Sequence, residues 1–175
     1  MATAQPDPPL AADELVAAGT EREVLEAFLD FHREVLVRKV SGVSEQEARH
    51  RRVPSKTTLA GLVKHMTGVE RGWFQRVLAG RPKVEIGPNV GGGDDSWELA
   101  DDETVASLVA EYRRACEESR QTAARFALDD TVPQRRLGQV SLRWIYVHMI
   151  EETARHVGHA DILREQTDGA VGVDG

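Results

Sequence analysis

The sequence predicts an all-α protein that folds as a four-helix bundle. Apolar residues recur at three- and four-residue intervals in four separate stretches, and this spacing is typical of amphipathic helices. No stretch of any length alternates as a β-strand does, and capping residues or glycine–proline breaks separate the four stretches. At 175 residues, the chain has the size of one domain with a single core.

The ends of the four helices are predicted from the residues that punctuate them. Ser55 or Thr57 can cap the second helix, and Gly80 with Pro82 ends it. Acidic residues at the start of the third helix suit the positive end of a helix dipole. The predicted helices run from about Thr20 to Val40, from after Pro54 to Gly80, from a start between Asp101 and Glu103 to about Phe126, and from about Ser141 to Glu165. On the first, the apolar stripe comprises Val24, Phe28, Phe31, Val35 and Leu36.

The connections between the helices predict their directions. Residues 81–100 contain two prolines and three consecutive glycines, so we expect a long loop between helices two and three. Such a loop can travel the length of a 20-residue helix, about 30 Å. The first and third connections are short, and residues 129–140 are expected to form a simple turn. The predicted topology is therefore up-down-down-up, with helices two and three parallel.

The composition of the chain bounds its organisation and location. Residues 1–13 are predicted to be a disordered leader without a secretory signal, residues 14–169 a single domain, and residues 170–175 a flexible tail. A formal net charge of −7 argues against a nucleic-acid binder, and the apolar runs are too short to span a membrane. Cys116, the one cysteine, suits a reducing cytoplasm and is expected to pack in the core.

The fourth predicted helix carries titratable residues on its apolar face. His148, Glu152 and His156 follow at four-residue steps, and His159 lies three residues further along. On a helix, these steps place side chains above one another. A carboxylate and an imidazole at core positions are costly unless they pair with each other or bind a shared cation, and both solutions are open. The predicted stripe is Leu142, Ile145, Met149, Glu152, His156, His159 or Ala160, and Leu163.

His65 on the second predicted helix can complete a metal site with Glu152 and His156. It lies beside the core position Met66, in the middle of that helix. Two imidazoles and one carboxylate leave a coordination position for water, which is typical of catalytic rather than structural zinc. The same set suits iron(II), so the donor types leave the metal open. For His65 by itself, a simple hydrogen-bonded core position is the alternative.

Other polar and aromatic residues are weaker candidates. His148 and His159 each lie one turn from a proposed ligand and could support the ligands or line a pocket, His159 being better placed for the pocket. His32 on the first helix is expected to be structural, with pocket lining as the alternative. Arg76, Arg155 and Arg164 are candidates for binding an anionic substrate, although solvated positions on helix faces are the favoured alternative. Trp73 and Trp144 are expected to pack rather than to stack on a ligand.

Two segments of the chain resemble a known family. LVKHMTGVERGWF (residues 62–74) and HMIEETARHVGHADILRE (residues 148–165) are similar to the DinB-like superfamily, and more narrowly to an actinobacterial branch of it. The resemblance extends from about Glu14 to Gly169. It implies an up-down-down-up four-helix bundle in which His65, Glu152 and His156 hold a divalent metal ion. Many members have histidine at the position of Glu152; glutamate there resembles the mycothiol-dependent maleylpyruvate isomerases, whose His-Glu-His set binds zinc.

This resemblance leaves three functions open. The leading hypothesis is a metal-dependent S-transferase or isomerase that uses a low-molecular-weight thiol of the mycothiol type, with zinc expected and nickel or iron as alternatives. The second is a metal-dependent hydrolase that uses activated water. The third is a non-catalytic, stress-associated metal-binding bundle that acts as a dimer. The first two imply a small-molecule substrate, a homodimer is compatible with all three, and neither nucleic acid nor membrane is an expected partner.

Overall fold

The computed structural model describes residues 10, 11 and 13–172, and this part of the chain is mostly helical. Most of the predicted leader and residues 173–175 of the predicted tail lie outside the described residues. No described helix is long and apolar enough to cross a membrane. The helices are α1 (Glu21–Val40), α2 (Glu45–Arg49), α3 (Leu59–Glu70), α4 (Lys83–Ile86), α5 (Val105–Ala123) and α6 (Leu142–Asp168). A π-helix, Arg71–Leu78, continues α3, and 3-10 turns form at Glu14–Val16 and Asp94–Trp97.

The four predicted helices correspond to α1, α3 with its π-helical extension, α5 and α6, with shifted ends. Thr58 caps α3 by accepting a hydrogen bond from a backbone N–H of the first turn. The predicted caps Ser55 and Thr57 were wrong, because their hydroxyls bond each other instead. Similarly, α5 begins after Thr104 rather than around Asp101 to Glu103. In each case the cap is the threonine that directly precedes the helix, which satisfies an orphan N–H of the first turn.

The core face of α1 matches the predicted stripe only in part. Val35 and Leu36 of the stripe are buried, whereas Phe28 is 40% exposed, and Leu29 outside the stripe is completely buried. The buried face also contains Arg33, which pairs with the buried Glu70 of α3. The spacing of apolar residues gives no sign of a buried arginine, so the predicted stripe missed this part of the core face.

Contacts at both ends of α6 fix its position beside α1. Arg143, in the first turn of α6, forms an ion pair with Glu21, the first residue of α1. Arg164, near the end of α6, donates hydrogen bonds to the carbonyl oxygens of Lys39 (3.1 Å) and Ser41 (2.9 Å) at the end of α1. The beginnings of the two helices are therefore neighbours, and so are their ends.

Ion pairs likewise align α3 with α5. Lys64 of α3 pairs with Glu103 just before α5, at 2.7 Å, and Arg71 at the end of α3 pairs with Glu111 inside α5, at 2.6 Å. The earlier residue of α3 thus contacts the earlier position near α5, and the later residue contacts the later position. Because α3 also packs against α1 and α6, its surface is buried almost all round.

A β-hairpin replaces the predicted turn between the last two long helices. β1 (Thr131–Gln134) pairs antiparallel with β2 (Gly138–Ser141), and Val140 anchors the hairpin in the core. The Gln134 side-chain oxygen accepts hydrogen bonds from the backbone N–H groups of Arg136 (2.7 Å) and Leu137 (2.8 Å), which closes the turn. Four-residue strands are too short to show a clear alternation, so sequence pattern alone missed them.

The connection predicted as a long loop is partly helical and packs against α3. It contains α4 and the 3-10 turn Asp94–Trp97. Gly91 N–H donates to the Gly68 carbonyl at 2.9 Å, and the Asn89 side-chain amide donates to the Lys64 carbonyl at 2.6 Å. A Cβ atom at Gly72 would lie only 3.1 Å from the Cα of Gly91. Glycine on both sides therefore permits this close approach.

Candidate metal centre

α3 and α6 bring together the three predicted metal ligands. Glu152 Oε1 lies 3.3 Å from His156 Nε2 and 4.0 Å from His65 Nε2. One donor atom from each side chain can be chosen so that all three lie within 4.8 Å of one another. Zinc bonds of about 2.0–2.1 Å in a tetrahedron place donors about 3.4 Å apart. The three side chains therefore fit a divalent ion after a small closure.

Glu152 lies at the edge of the buried face rather than at its centre. Its side chain is 22% exposed, whereas the neighbouring Thr153 is completely buried and donates a hydrogen bond to the Met149 carbonyl at 2.6 Å. The central stripe of α6 therefore passes through Thr153, and the predicted core position of Glu152 was wrong. At the edge, the carboxylate faces an open pocket and keeps part of its hydration, which lowers the cost of its charge.

The two imidazoles keep the Glu152 carboxyl ionised. The imidazole of His156, and then that of His65, holds the pKa of that carboxyl far below its usual range, while partial burial opposes this effect. With both imidazoles neutral, the three side chains carry a single negative charge. A divalent cation can bind the ring nitrogens that face Glu152, so the set is suited to metal binding in both charge and donor type.

Ser96 fixes the orientation and the tautomer of His65. Its hydroxyl donates a hydrogen bond to the Gly93 carbonyl at 2.5 Å, so its oxygen accepts from the Nδ1–H of His65 at 2.8 Å. A proton on Nδ1 leaves the lone pair on Nε2, the atom that faces Glu152. Outer hydrogen-bond partners of this kind orient metal-binding histidines and raise their basicity.

Two further residues of the same segment hold the His65 ring in place. Trp97 stacks on it with ring centroids 4.1 Å apart and an interplanar angle of 15°. Gly92, at φ +61°, lies so close that a Cβ atom there would come within 3.0 Å of His65 Cε1. Sequence reasoning missed these residues, although the run of three glycines before Ser96 was a visible signal of close backbone approach.

We expect Ser96→Ala to weaken metal binding about 10- to 100-fold, because His65 loses the partner that fixes its tautomer. The measurement is the metal dissociation constant from competition with a chromophoric chelator. Ser107→Ala provides a control, since Ser107 is an exposed serine in the first turn of α5. Equal affinities for Ser96→Ala and the wild type would contradict the role of this hydrogen bond.

His148 packs against tryptophans, whereas His159 contacts the candidate ligand His156. His148 lies between two tryptophans, stacked on Trp144 with centroids 5.0 Å apart and edge-on to Trp73 at 4.6 Å. His159 is exposed, and its Nδ1 atom lies 3.4 Å from Nδ1 of His156. Neither lines the open pocket among the described residues, although His159 was expected to do so. The tryptophans pack against each other, as predicted, with centroids 5.3 Å apart.

His32 and Cys116 form no hydrogen bond, ion pair or ring contact with the three candidate ligands. His32 lies on α1 with its ring edge-on to that of Phe31, at 5.4 Å between centroids. Partial burial lowers the pKa of His32, and the nearby Asp13 opposes this. Cys116 is buried as predicted, and burial raises the pKa of its thiol far above the usual range. Such a thiol is protonated and unreactive at neutral pH.

An open pocket with a volume of ≈ 720 Å³ adjoins the three candidate ligands. His65 and Glu152 line it directly. Of the arginines considered as anion ligands, Arg155 pairs with Glu151 at 2.6 Å and Arg164 with Asp168 at 3.0 Å, outside the pocket lining. The remaining described lining residues are Val69, Gly72, Trp73, Arg76, Val77, Gly91, Gly92, Pro133, Gln134 and Arg135.

Comparison with known protein families supports a relationship over most of the chain. A family model described as MST, mycothiol-S-transferase, matches residues 24–169. The chain belongs to the mycothiol-S-transferase family. This membership confirms the predicted relation to the DinB-like superfamily. No curated protein matches the chain. The matched range contains α3, α6 and all three candidate ligands.

Proposed function

We propose that the protein is a divalent-metal-dependent S-transferase that uses mycothiol or a similar low-molecular-weight thiol. The observation that carries this proposal is the placement of His65 and Glu152 on the wall of a large open pocket, with His156 behind them. A ligand set of two imidazoles and one carboxylate leaves a coordination position open. Family membership supports the thiol, and the donor types favour zinc, with nickel or iron as alternatives.

The protein contributes orientation and charge to the proposed reaction. When bound, a divalent ion supplies Lewis acidity that lowers the pKa of a thiol, so that a nucleophile exists at neutral pH. Ser96 and Trp97 hold His65 in one orientation, and the ionised Glu152 offsets one of the two metal charges. The charge that remains matches one anionic sulfur. In the transfer, the sulfur–carbon bond forms, the leaving group departs with its electron pair, and the thiol proton passes to solvent.

The architecture forms part of the same proposal. We infer a single domain over residues 14–169 with the up-down-down-up order of its four long helices. Two observations support this order. The first turns of α1 and α6 contact each other, and so do their last turns. The ion pairs between α3 and α5 follow the same order along both helices. In this arrangement, His65 from α3 meets Glu152 and His156 at mid-height of α6.

The proposal is tested by following thiol conjugation of chloroacetanilide, an alkyl chloride that reacts slowly with free thiols. With mycothiol and one equivalent of zinc, we expect the enzyme to accelerate formation of the thioether, and a chelator to remove this acceleration. Release of aniline or chloride without thiol would instead indicate the hydrolase. A metal-loaded protein with neither activity towards a panel of such acceptors would favour the non-catalytic bundle and contradict the proposal.

A further inference from the structure

We propose that the sulfur acceptor is a small organic carboxylate, whose anionic group binds Arg76 and Arg135 in the open pocket. This inference rests on the proposed function, because it names the second substrate of the same site. It assigns a binding role to two arginines that come from separate elements. Arg76 belongs to the π-helix that continues α3, and Arg135 follows β1 in the hairpin. Both line the pocket together with His65 and Glu152.

The two pocket arginines differ from most of the other arginines in having no acidic partner. Ion pairs tie up Arg33, Arg71, Arg120, Arg143 and Arg164, among others. Within residues 13–172, the side chains of Arg76 and Arg135 form no hydrogen bond or ion pair. The chain has 29 acidic and 22 basic residues, so partners are not scarce. Two unpaired guanidinium groups in one pocket are therefore available to a ligand.

The charges around the pocket favour an anion as that ligand. Apart from Glu152, none of its described lining residues is acidic. In the proposed function, the charge of Glu152 and that of the thiol sulfur together balance a divalent ion. The guanidinium groups of Arg76 and Arg135 then remain as uncompensated positive charges. A guanidinium presents a planar fork of N–H donors that matches a carboxylate, which makes such an anion the fitting partner.

The rest of the pocket is suited to the carbon skeleton of such an acceptor. Val69, Trp73, Val77 and Pro133 contribute apolar surface to its lining. A volume of ≈ 720 Å³ is within the range of small-molecule sites and leaves room for two substrates. Binding the carboxylate by the two arginines would hold the acceptor beside the candidate ligands, which converts a bimolecular encounter into an oriented one.

A matched pair of acceptors tests this inference. Chloroacetanilide and its 4-carboxy derivative share one reacting carbon and differ in a remote charge, and dividing each kcat/KM by the uncatalysed rate removes intrinsic reactivity. We expect the wild type to prefer the carboxylate by about tenfold or more, as charge-assisted hydrogen bonds would give. Arg76→Gln and Arg135→Gln should each reduce this preference, mainly by raising KM for the carboxylate.

Arg136→Gln is the matched control, because Arg136 is the exposed neighbour of Arg135 and is not among the described lining residues. It should keep the preference within twofold. An equal loss in Arg136→Gln would indicate general attraction of anions and overturn the site. A 4-phosphate derivative that is preferred over the carboxylate would overturn the carboxylate assignment. Equal use of the charged and neutral acceptors by the wild type would overturn the whole inference.

A binding measurement separates this inference from the proposed function. The unreactive analogue 4-acetamidobenzoate is titrated into the zinc-loaded protein by calorimetry, without any thiol. Binding that is lost in the Arg76→Gln/Arg135→Gln double variant and kept in Arg136→Gln supports the anion site, even if no thiol transfer occurs. Absence of binding to the wild type, together with active conjugation of chloroacetanilide, contradicts the anion site and leaves the proposed function intact.

Discussion

Glu152→Ala is expected to lose the bound metal ion and every activity that depends on it. Glu152 supplies the one charged donor of the three, and it lies between the two imidazoles, 3.3 Å from His156 and 4.0 Å from His65. Without it, two neutral donors on different helices remain. Loss of an outer hydrogen-bond partner costs about 10- to 100-fold in metal affinity, and loss of a ligand should exceed this range. His156→Ala should behave in the same way.

The measurement is metal content by mass spectrometry after purification without chelators. Glu151→Ala is a matched control, since Glu151 is the adjacent glutamate, exposed and paired with Arg155. We expect it to retain the metal content of the wild type. A chelator should lower the melting temperature of the wild type and of Glu151→Ala, but not that of Glu152→Ala, because binding to the native state alone stabilises it. Equal metal content in all of these variants would show that the site is wrong.

Much of the candidate site could be predicted because its residues lie on long helices. Four-residue steps place Glu152 beside His156 whatever the rest of the fold does. His65 was predicted from its mid-helix position and from family resemblance, and the structure brings it to the same place. The position of Glu152 within the buried face was not predictable, since one residue of shift along the stripe separates it from Thr153. The spacing of the apolar residues is compatible with either Glu152 or Thr153 at the buried position.

The residues that surround the candidate ligands could not be predicted, because they come from segments without periodicity. Ser96 and Trp97 contact His65 across 31 and 32 positions of the chain, through a 3-10 turn inside a predicted loop. Arg135 reaches the pocket only because residues 131–141 form a hairpin. Buried pairing of Arg33 with Glu70 was missed for a related reason: a charged residue counts against a core position until its partner is known.

The pair Arg33–Glu70 is expected to be the most destabilising one to break. Arg33 donates two hydrogen bonds to the two carboxylate oxygens of Glu70, at 2.8 and 2.7 Å, and both side chains are almost completely buried. Arg33 also donates to Asp30 at 2.8 Å and lies over the ring of Phe74. We expect Glu70→Ala to reduce the free energy of unfolding by about 3–5 kcal/mol, since it leaves a buried and poorly compensated charge.

Urea denaturation of Glu70→Leu, Arg33→Met and the double variant separates the pair from its parts. Removing one partner leaves the other charge buried, whereas replacing both with apolar groups of similar size removes the charges together. The double variant should therefore be more stable than either single variant, and the mutational effects should be strongly non-additive. If the single variants are too unstable to purify, the double variant should still fold, and Glu70→Gln gives a milder measurement of the same coupling. Additive losses would show that the two groups act independently.

Glu70 ends α3, five residues after His65, and the π-helix with Arg76 follows it directly. A stable double variant with unchanged metal affinity would assign the pair to the packing of α1 on α3, whereas weakened metal binding would show that the pair also positions His65.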